Sequence, residues 1–308
     1  MIRYKDKYIL RRAEERDFPA LVQMYTEVFD KRVSLDYFKR KYDTEYLRVK
    51  NLSAIALYNE TPVAYYGILP QKFRRGNEEV LLAQLCDNIT LPAHQRQGLN
   101  SRLAELTFEI MKTEGIGMAY ALPNESSFPA ILKMNWGQRG RFSRFHFAVR
   151  TLPLAKVLNR LNWNAVYDLF FEKGHETQFL RCFAASDKHW KQAVSSPFLA
   201  YKNKMHGHYF VRYSDCTFWI KIESIMHVGL CSLGNKESLG KALRKLKRKA
   251  ALLGINEILF QVDPNSDEYQ KLGAFAESKP SWPLVYKKID YGLEIEDFVF
   301  TLADLDTF

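Results

Sequence analysis

Pro92-Ala93-His94-Gln95-Arg96-Gln97-Gly98-Leu99-Asn100 is the stretch whose reading decides the fold. Pro92 cannot donate to a β ladder, so it marks the end of the strand formed by residues 85–91. Gly98 lets the backbone pass close to a ligand. Leu99, Leu103, Leu106 and Ile110 fall at helical spacing, which predicts a helix that begins near Asn100 and closes at Gly115. Such a helix directs its unsatisfied N–H groups, and the positive end of its dipole, at the turn. A pyrophosphate is the natural occupant. Ser101 adds a hydroxyl donor, and Gln95, Arg96 and Gln97 are placed to meet phosphate or solvent. Taken alone, the same pattern also reads as an ordinary strand-to-helix turn.

Upstream of the turn, Tyr8-Ile9-Leu10 predicts a short strand, and Asp17 a helix N-cap with Pro19 in the first turn. A β-meander follows over residues 53–58, 63–73 and 80–91. Downstream lie a buried strand over 116–121, a helix that starts near Asn124 and stops before Gly137, and a final strand over 142–150. These elements predict one domain over residues 1–150, a helical connector over 151–175, and a second domain over 176–308. The second domain reads as a hairpin (209–222), a strand (225–233), a helix (238–253), a strand (257–262), a helix start (268–272) and late strands at 283–288 and 298–302. Strand, helix, strand, Pro-Asn and helix occur in this order in both halves, which suggests two copies of one unit. The expected fold is α/β: a mixed central sheet flanked by helices, in two tandem lobes.

Bulk properties bound the function. The chain has 308 residues, 47% hydrophobic and 26% charged, which is enough for two folded domains. A net charge of +10 favours polyanionic partners: nucleic acid, anionic lipid or a phosphorylated ligand. It also suits a merely soluble basic protein. The helix at 238–253 concentrates Lys241, Arg244, Lys245, Lys247, Arg248 and Lys249, a face for nucleic acid or simply for solvent. Cys86, Cys182, Cys216 and Cys231 form no C-x-x-C pair, so neither a disulfide scaffold nor structural zinc is expected. His206-Gly207-His208 has no third ligand nearby in sequence, and no metal is expected there. No window approaches the roughly 18 apolar residues of a membrane span, and a cytoplasmic location is expected.

The turn resembles the pyrophosphate loop of the GNAT superfamily of acetyltransferases, Arg/Gln-x-x-Gly-x-Gly/Ala after a strand ending in x-Pro. Gln95 fills the first position and Gly98 the central one, while Asn100 replaces the last small residue, as a residue better suited than most non-glycines to an unusual backbone angle. A second motif is similar to that superfamily's Asn-x-x-Ala-x-x-x-Tyr-x-Lys-x-Gly-Phe, with Asn124, Ser127, Ile131, Lys133, Asn135 and Trp136 at its spacings. The resemblance covers residues 8–150. It implies acetyl-CoA as co-substrate, with the phosphates on Gln95, Arg96, Gln97, Gly98, Leu99, Asn100 and Ser101. It implies that backbone groups of Ile89, Thr90 and Leu91 pair with the pantetheine arm, and that Asn124 bonds it.

The catalytic positions depart from the family. Its thiolate acid, a tyrosine, is Ile131 here, and the glutamate base of some members is Gln84. Asp87 is the leading candidate base, and also reads as a hydrogen-bonded strand residue facing solvent. Tyr120 is the candidate acid, and also reads as a core tyrosine. The second lobe has Gly234-Asn235-Lys236-Glu237-Ser238 where a phosphate turn would stand, so it reads as a degenerate copy without coenzyme. The implied activity is acetyl transfer from acetyl-CoA to a primary amine of a small molecule, an amino sugar by analogy. The alternatives are a Fem-like aminoacyl-tRNA-dependent transferase and a non-catalytic acyl-CoA sensor. Oligomeric state is not legible.

Overall fold

A computed structural model describes residues 2–3, 7–171, 179–183, 188–205, 207–290 and 292–308. The chain forms two compact units, each built from separated segments. Unit 1 comprises Met1–Phe73, Glu78–Arg139 and Leu284–Ile295, and unit 2 comprises Arg74–Asn77, Gly140–Pro283 and Glu296–Phe308. Among the described residues, no helix is long and apolar enough to cross a membrane.

Unit 1 opens with β1 (Ile2–Arg3) and β2 (Tyr8–Arg12), then helices α1 (Phe18–Phe29) and α2 (Leu35–Lys41). The meander β3 (Ala54–Tyr58), β4 (Thr61–Arg75) and β5 (Glu78–Thr90) follows. Helix α3 (Leu99–Thr113) leads to β6 (Met118–Ala121), and α4 (Phe128–Leu132) comes next. Pairing along β2, β3 and β4 is antiparallel, whereas β5 and β6 are parallel. The sheet is covered on both faces. Tyr66, Ala83, Leu99, Leu103 and Met111 form one core, and Phe18, Leu21, Phe38, Tyr65 and Ile89 the other. Adjacent Tyr65 and Tyr66 go to opposite faces because strand side chains alternate. Asp17 stands at the N-cap of α1, but its side chain does not cap. Its carboxylate accepts from Arg11 at 2.7 and 2.6 Å and from the Glu14 N–H at 2.8 Å.

Unit 2 contains most of β7 (Gly137–Ala148), then α5 (Leu154–Arg160), β8 (Lys191–Gln192), α6 (Ser196–Met205), and the meander β9 (His208–Tyr213), β10 (Cys216–Ile222) and β11 (Met226–Ser232). Helix α7 (Lys236–Leu252), β12 (Glu257–Val262), α8 (Asp267–Gly273) and β13 (Ser278–Lys288) complete the elements. Helix α7 is amphipathic: Leu239, Leu243, Leu246 and Ala250 recur at helical spacing and are buried.

The two units exchange strands. The free edge of β6 pairs antiparallel with the end of β13, from Val285↔Ala121 to Lys288↔Met118. In unit 2, β12 pairs antiparallel with β7, from Glu257↔Ala148 to Val262↔Ser143. The division therefore differs from the expected 1–150, 151–175 and 176–308: the chain changes unit at 139, and 284–295 return to unit 1. The reason is where apolar side chains are buried. Phe145, Phe147 and Val149 join the core of Phe218, Phe260 and Leu246, while Val285 joins that of unit 1. Within the expected connector, α5 belongs to unit 2, and residues 172–175 lie outside the described residues, as does His206. The expected strand at 298–302 is two isolated bridges, Trp190↔Phe298 and Val262↔Thr301. The helix expected from Asn124 is the short α4.

Residues 1–139 expressed alone lack the strand that covers the β6 edge, and lose Val285 from the core. We expect them to aggregate, with an open edge inviting intermolecular pairing; a monodisperse, cooperatively melting fragment in size-exclusion chromatography and calorimetry would contradict the exchange. A second expectation concerns Asp304, which is fully buried in unit 2 and accepts from the Thr301 N–H at 2.6 Å. Burial pushes its carboxyl from the usual 3.8 up to about 7, against the opposing pull of Thr301 and Lys202. The folded chain therefore holds this proton more tightly than the unfolded one, and the associated stability falls as pH rises from about 4 to about 7. Asp304→Asn should flatten that part of the profile in urea melts.

Candidate active site

Parallel strands β5 and β6 share a ladder over only three registered pairs, Leu82↔Met118, Ala83↔Ala119 and Gln84↔Tyr120. Beyond Gln84, β5 continues to Thr90 while β6 ends at Ala121. The strands separate there, and unbonded backbone faces the gap. The Leu91 N–H donates to Val63 O at 3.0 Å, and the Leu91 carbonyl accepts from His94 N at 2.9 Å. The Leu91 N–H is thus engaged within the chain and cannot donate to a ligand, contrary to expectation. Since alternate residues point to alternate edges, Ile89 shares the β4-facing edge with Leu91, while Asn88 and Thr90 face the gap. The Thr90 carbonyl accepts from Gln95 Nε2 at 3.2 Å.

The loop after β5 leads into an open helix start. Arg96 and Gly98 both have left-handed backbone, φ 59° and 69°. No atom lies within 4 Å of where a Gly98 Cβ would stand. Gly98 is the N-cap of α3, no side chain caps that end, and its first turn carries no acidic residue. Its first N–H groups are therefore unclaimed by the chain itself. Gln95, Arg96, Gln97, Gly98 and Ser101 are exposed at this opening. Leu99 is buried and anchors the helix in the core. Asn100 is helical, so it does not supply the unusual backbone expected of it; its Nδ2 donates to Met134 Sδ at 3.3 Å and its Oδ1 is buried without a partner. His94 fixes the base of the loop, with Nδ1 3.0 Å from Tyr8 Oη.

Asp87 lies on β5 past the last registered pair and is buried, not solvent-facing. Lys41 Nζ is 2.8 Å from Asp87 Oδ2, and Tyr42 Oη donates to the same oxygen at 2.8 Å. Burial, and next the Asp87 charge, push the Tyr42 phenol well above its usual range, so it stays a donor. Cys86 Sγ is also 3.5 Å from Tyr42 Oη. Two consecutive strand residues reaching one atom break the usual alternation. Gly67 makes room for this: a Cβ there would stand 2.8 Å from the Asp87 carbonyl oxygen and 2.8 Å from the Tyr65 ring. Lys41 and Tyr42 were not singled out in the sequence. The available signal was a lysine three residues after Phe38, on the apolar side of α2.

Tyr120 is fully buried, at the last registered pair, with its ring edge-on to Phe73 at 6.1 Å. Gln84, its partner in the register, is buried too. Ile131 lies in the apolar core beside Trp136. Asn124 is exposed, and its Oδ1 accepts from the N–H groups and hydroxyls of Ser126 and Ser127 at 2.7–3.1 Å. Only its Nδ2 remains for a ligand.

Residues 10–139 match the family model for an acetyltransferase (GNAT) domain. Unit 1 is a GNAT-superfamily domain. The chain is accordingly an acyltransferase enzyme. No curated protein matches the sequence. Among solved structures, the GCN5-related N-acetyltransferase from Kribbella flavida superposes with a TM-score of 0.63 at 12% identity, over 92% of this chain and 71% of that one. A conserved protein of unknown function from Enterococcus faecalis gives 0.61 at 11%, over 92% and 73%. The GCN5-related N-acetyltransferase from Anabaena variabilis gives 0.52 at 10%, over 92% and 73%. At such identities these likenesses speak for the fold alone.

Unit 2 also has a parallel strand pair ahead of a helix, but that helix starts differently. β11 and β12 are parallel over Met226↔Ile258, His227↔Leu259 and Val228↔Phe260, and β11 then runs on to Ser232. Helix α7 follows, but Asn235 Oδ1 caps it by accepting from Ser238 N at 2.9 Å, and Glu237 stands in its first turn. The Asp215 carboxylate fills the space that a Cβ on Gly234 would take. An anion site at this helix start is thus closed by the chain's own acceptors.

Lys41→Met would leave the Asp87 carboxylate buried beside a single donor. Removing one partner of a buried ion pair costs about 3–5 kcal/mol. Urea melts should show a loss of that order, with part of it recovered in Lys41→Met/Asp87→Asn.

Proposed function

We propose that this chain moves an acetyl group from acetyl-CoA to a primary amine of a small molecule, with amino sugars as the leading class. The observation that carries the reading is the uncapped start of α3 behind left-handed Gly98, at the open end of the gap between β5 and β6. Bound there, acetyl-CoA would supply an activated thioester. The N–H groups of residues 98–101 would hold its pyrophosphate, with Gln95, Arg96 and Gln97 at the rim. Backbone groups of β5 that face the gap, the Thr90 N–H among them, would pair with the pantetheine arm, and Asn124 Nδ2 would bond it.

Acetyl transfer needs a group that receives the amine proton and one that protonates the departing thiolate. Asp87 is our candidate for the first, with Lys41 and Tyr42 fixing its carboxylate. Tyr120, where the strands part, is our candidate for the second, since the aliphatic Ile131 cannot serve. The negative charge developing on the acyl oxygen would be met by N–H groups of β5. Unit 2 is inferred to bind no coenzyme, because α7 is capped by Asn235. A small-molecule acceptor is favoured over tRNA because cations of α7 are engaged within the chain: Lys241 pairs with Glu237 at 2.5 Å, and Lys247 and Lys249 sit over Phe147 and Phe171 at 5.3 and 4.3 Å. Four free cysteines suit the reducing cytosol in which we place the reaction.

Acetyl-CoA at a hundredfold over its Kd should stabilise the fold by about 2.7 kcal/mol, read as a rise in Tm. Gly98→Glu places a carboxylate in open space at the helix start, at a cost of about 1–2 kcal/mol for its left-handed backbone, so the fold should survive with a lower Tm and the rise should vanish. No rise with the unaltered chain would refute the reading. Tyr120→Phe should lower kcat about 10²–10⁴-fold with little change in KM.

A further inference from the structure

We propose that unit 2 carries a second ligand site, for a small zwitterion with an ammonium and a carboxylate: an α-amino acid with an apolar side chain. A cavity of about 520 Å³ lies where β11 and β12 part. That volume is within the usual range for small-molecule sites. Its occupant differs from that of the gap in unit 1, for reasons already in the geometry. The helix start above it is capped by Asn235, and Thr301 bridges to Val262 on β12, taking backbone that a pantetheine arm would need.

The lining sets the ligand's chemistry. Val228, Val262 and Val299 supply apolar wall, and Arg74, Lys191 and Glu268 supply charge. Among the described residues, neither Lys191 nor Glu268 forms an ion pair or a side-chain hydrogen bond. Both line the same cavity. The Cys231 thiol, which also lines the cavity, is pushed well above the usual range by burial and then by Glu268, with Lys191 acting the other way. A plain anion would meet the Glu268 carboxylate, and a plain amine would meet Lys191 and Arg74. A molecule carrying both charges satisfies both walls, with the ammonium on Glu268, the carboxylate on Lys191 and the apolar side chain on the valines.

The test uses the full chain and a panel of the twenty L-amino acids, by thermal shift and then calorimetry, with and without saturating acetyl-CoA. At least one of valine, leucine, isoleucine, methionine and phenylalanine should raise Tm. For that amino acid, the amide (no carboxylate) and the N-acetyl derivative (no ammonium) should each bind about tenfold or more weakly. Lys191→Met and Glu268→Gln should weaken binding by a similar factor while leaving the acetyl-CoA shift intact. The proposal is overturned if no amino acid shifts Tm, if inorganic phosphate or a simple amine does as well as the zwitterion, or if both variants bind as the parent does. An unchanged acetyl-CoA shift in such a failure separates it from a failure of the acetyl-transfer reading.

Discussion

Two parallel strands that stop sharing hydrogen bonds leave a row of backbone donors and acceptors with no partner, and a folded chain tolerates such a row only where solvent or a ligand can satisfy it. The rest of unit 1 serves that constraint. β5 is held from one side by β4, to the point that the Leu91 N–H is engaged within the protein. β6 is held from the other side by β13. With each strand fixed on its outer edge, the gap between them cannot close by strand movement. It can only be filled, and the helix that leaves its open end offers N–H groups as well.

The exchanged strands bear on this directly. β6 is four residues long and would be a weak edge without a neighbour. Its neighbour comes from residues 285–288, so the rigidity of the gap depends on chain that is distant in sequence. The same logic holds for β12, which is held by β7. Neither unit is therefore a contiguous piece of chain, and a cut placed by sequence pattern alone falls inside the other unit's sheet.

What could be read from the sequence was whatever is decided locally. The turn at Gly98 was legible because a strand-ending proline, a glycine and a helical repeat lie within a few residues of one another. The strands at 142–150 and 283–288 were legible as strands, but not their partners, since alternation says which face is buried and not against which sheet. Asp87 could be picked out by its place on the strand. Its environment could not, because Lys41 and Tyr42 approach from a helix more than forty residues away in sequence. Asn100 misled for a related reason: its amide suggested a special backbone angle, whereas the positive φ values belong to Arg96 and Gly98.

The two helix starts show how little separates a ligand site from a structural turn. α3 and α7 each follow a strand that has just parted from its parallel neighbour, and each presents the same unsatisfied N–H groups. At α7 an asparagine accepts from one of them, a glutamate adds negative charge to the first turn, and an aspartate packs against the preceding glycine. At α3 the glycine is open and no side chain caps. A cap contributes on the order of 1 kcal/mol to a helix, so leaving α3 without one is a stability forgone. An anion bound at the position would recover that loss beyond what water supplies. The missing cap is thus the feature through which the proposed ligand would stabilise unit 1.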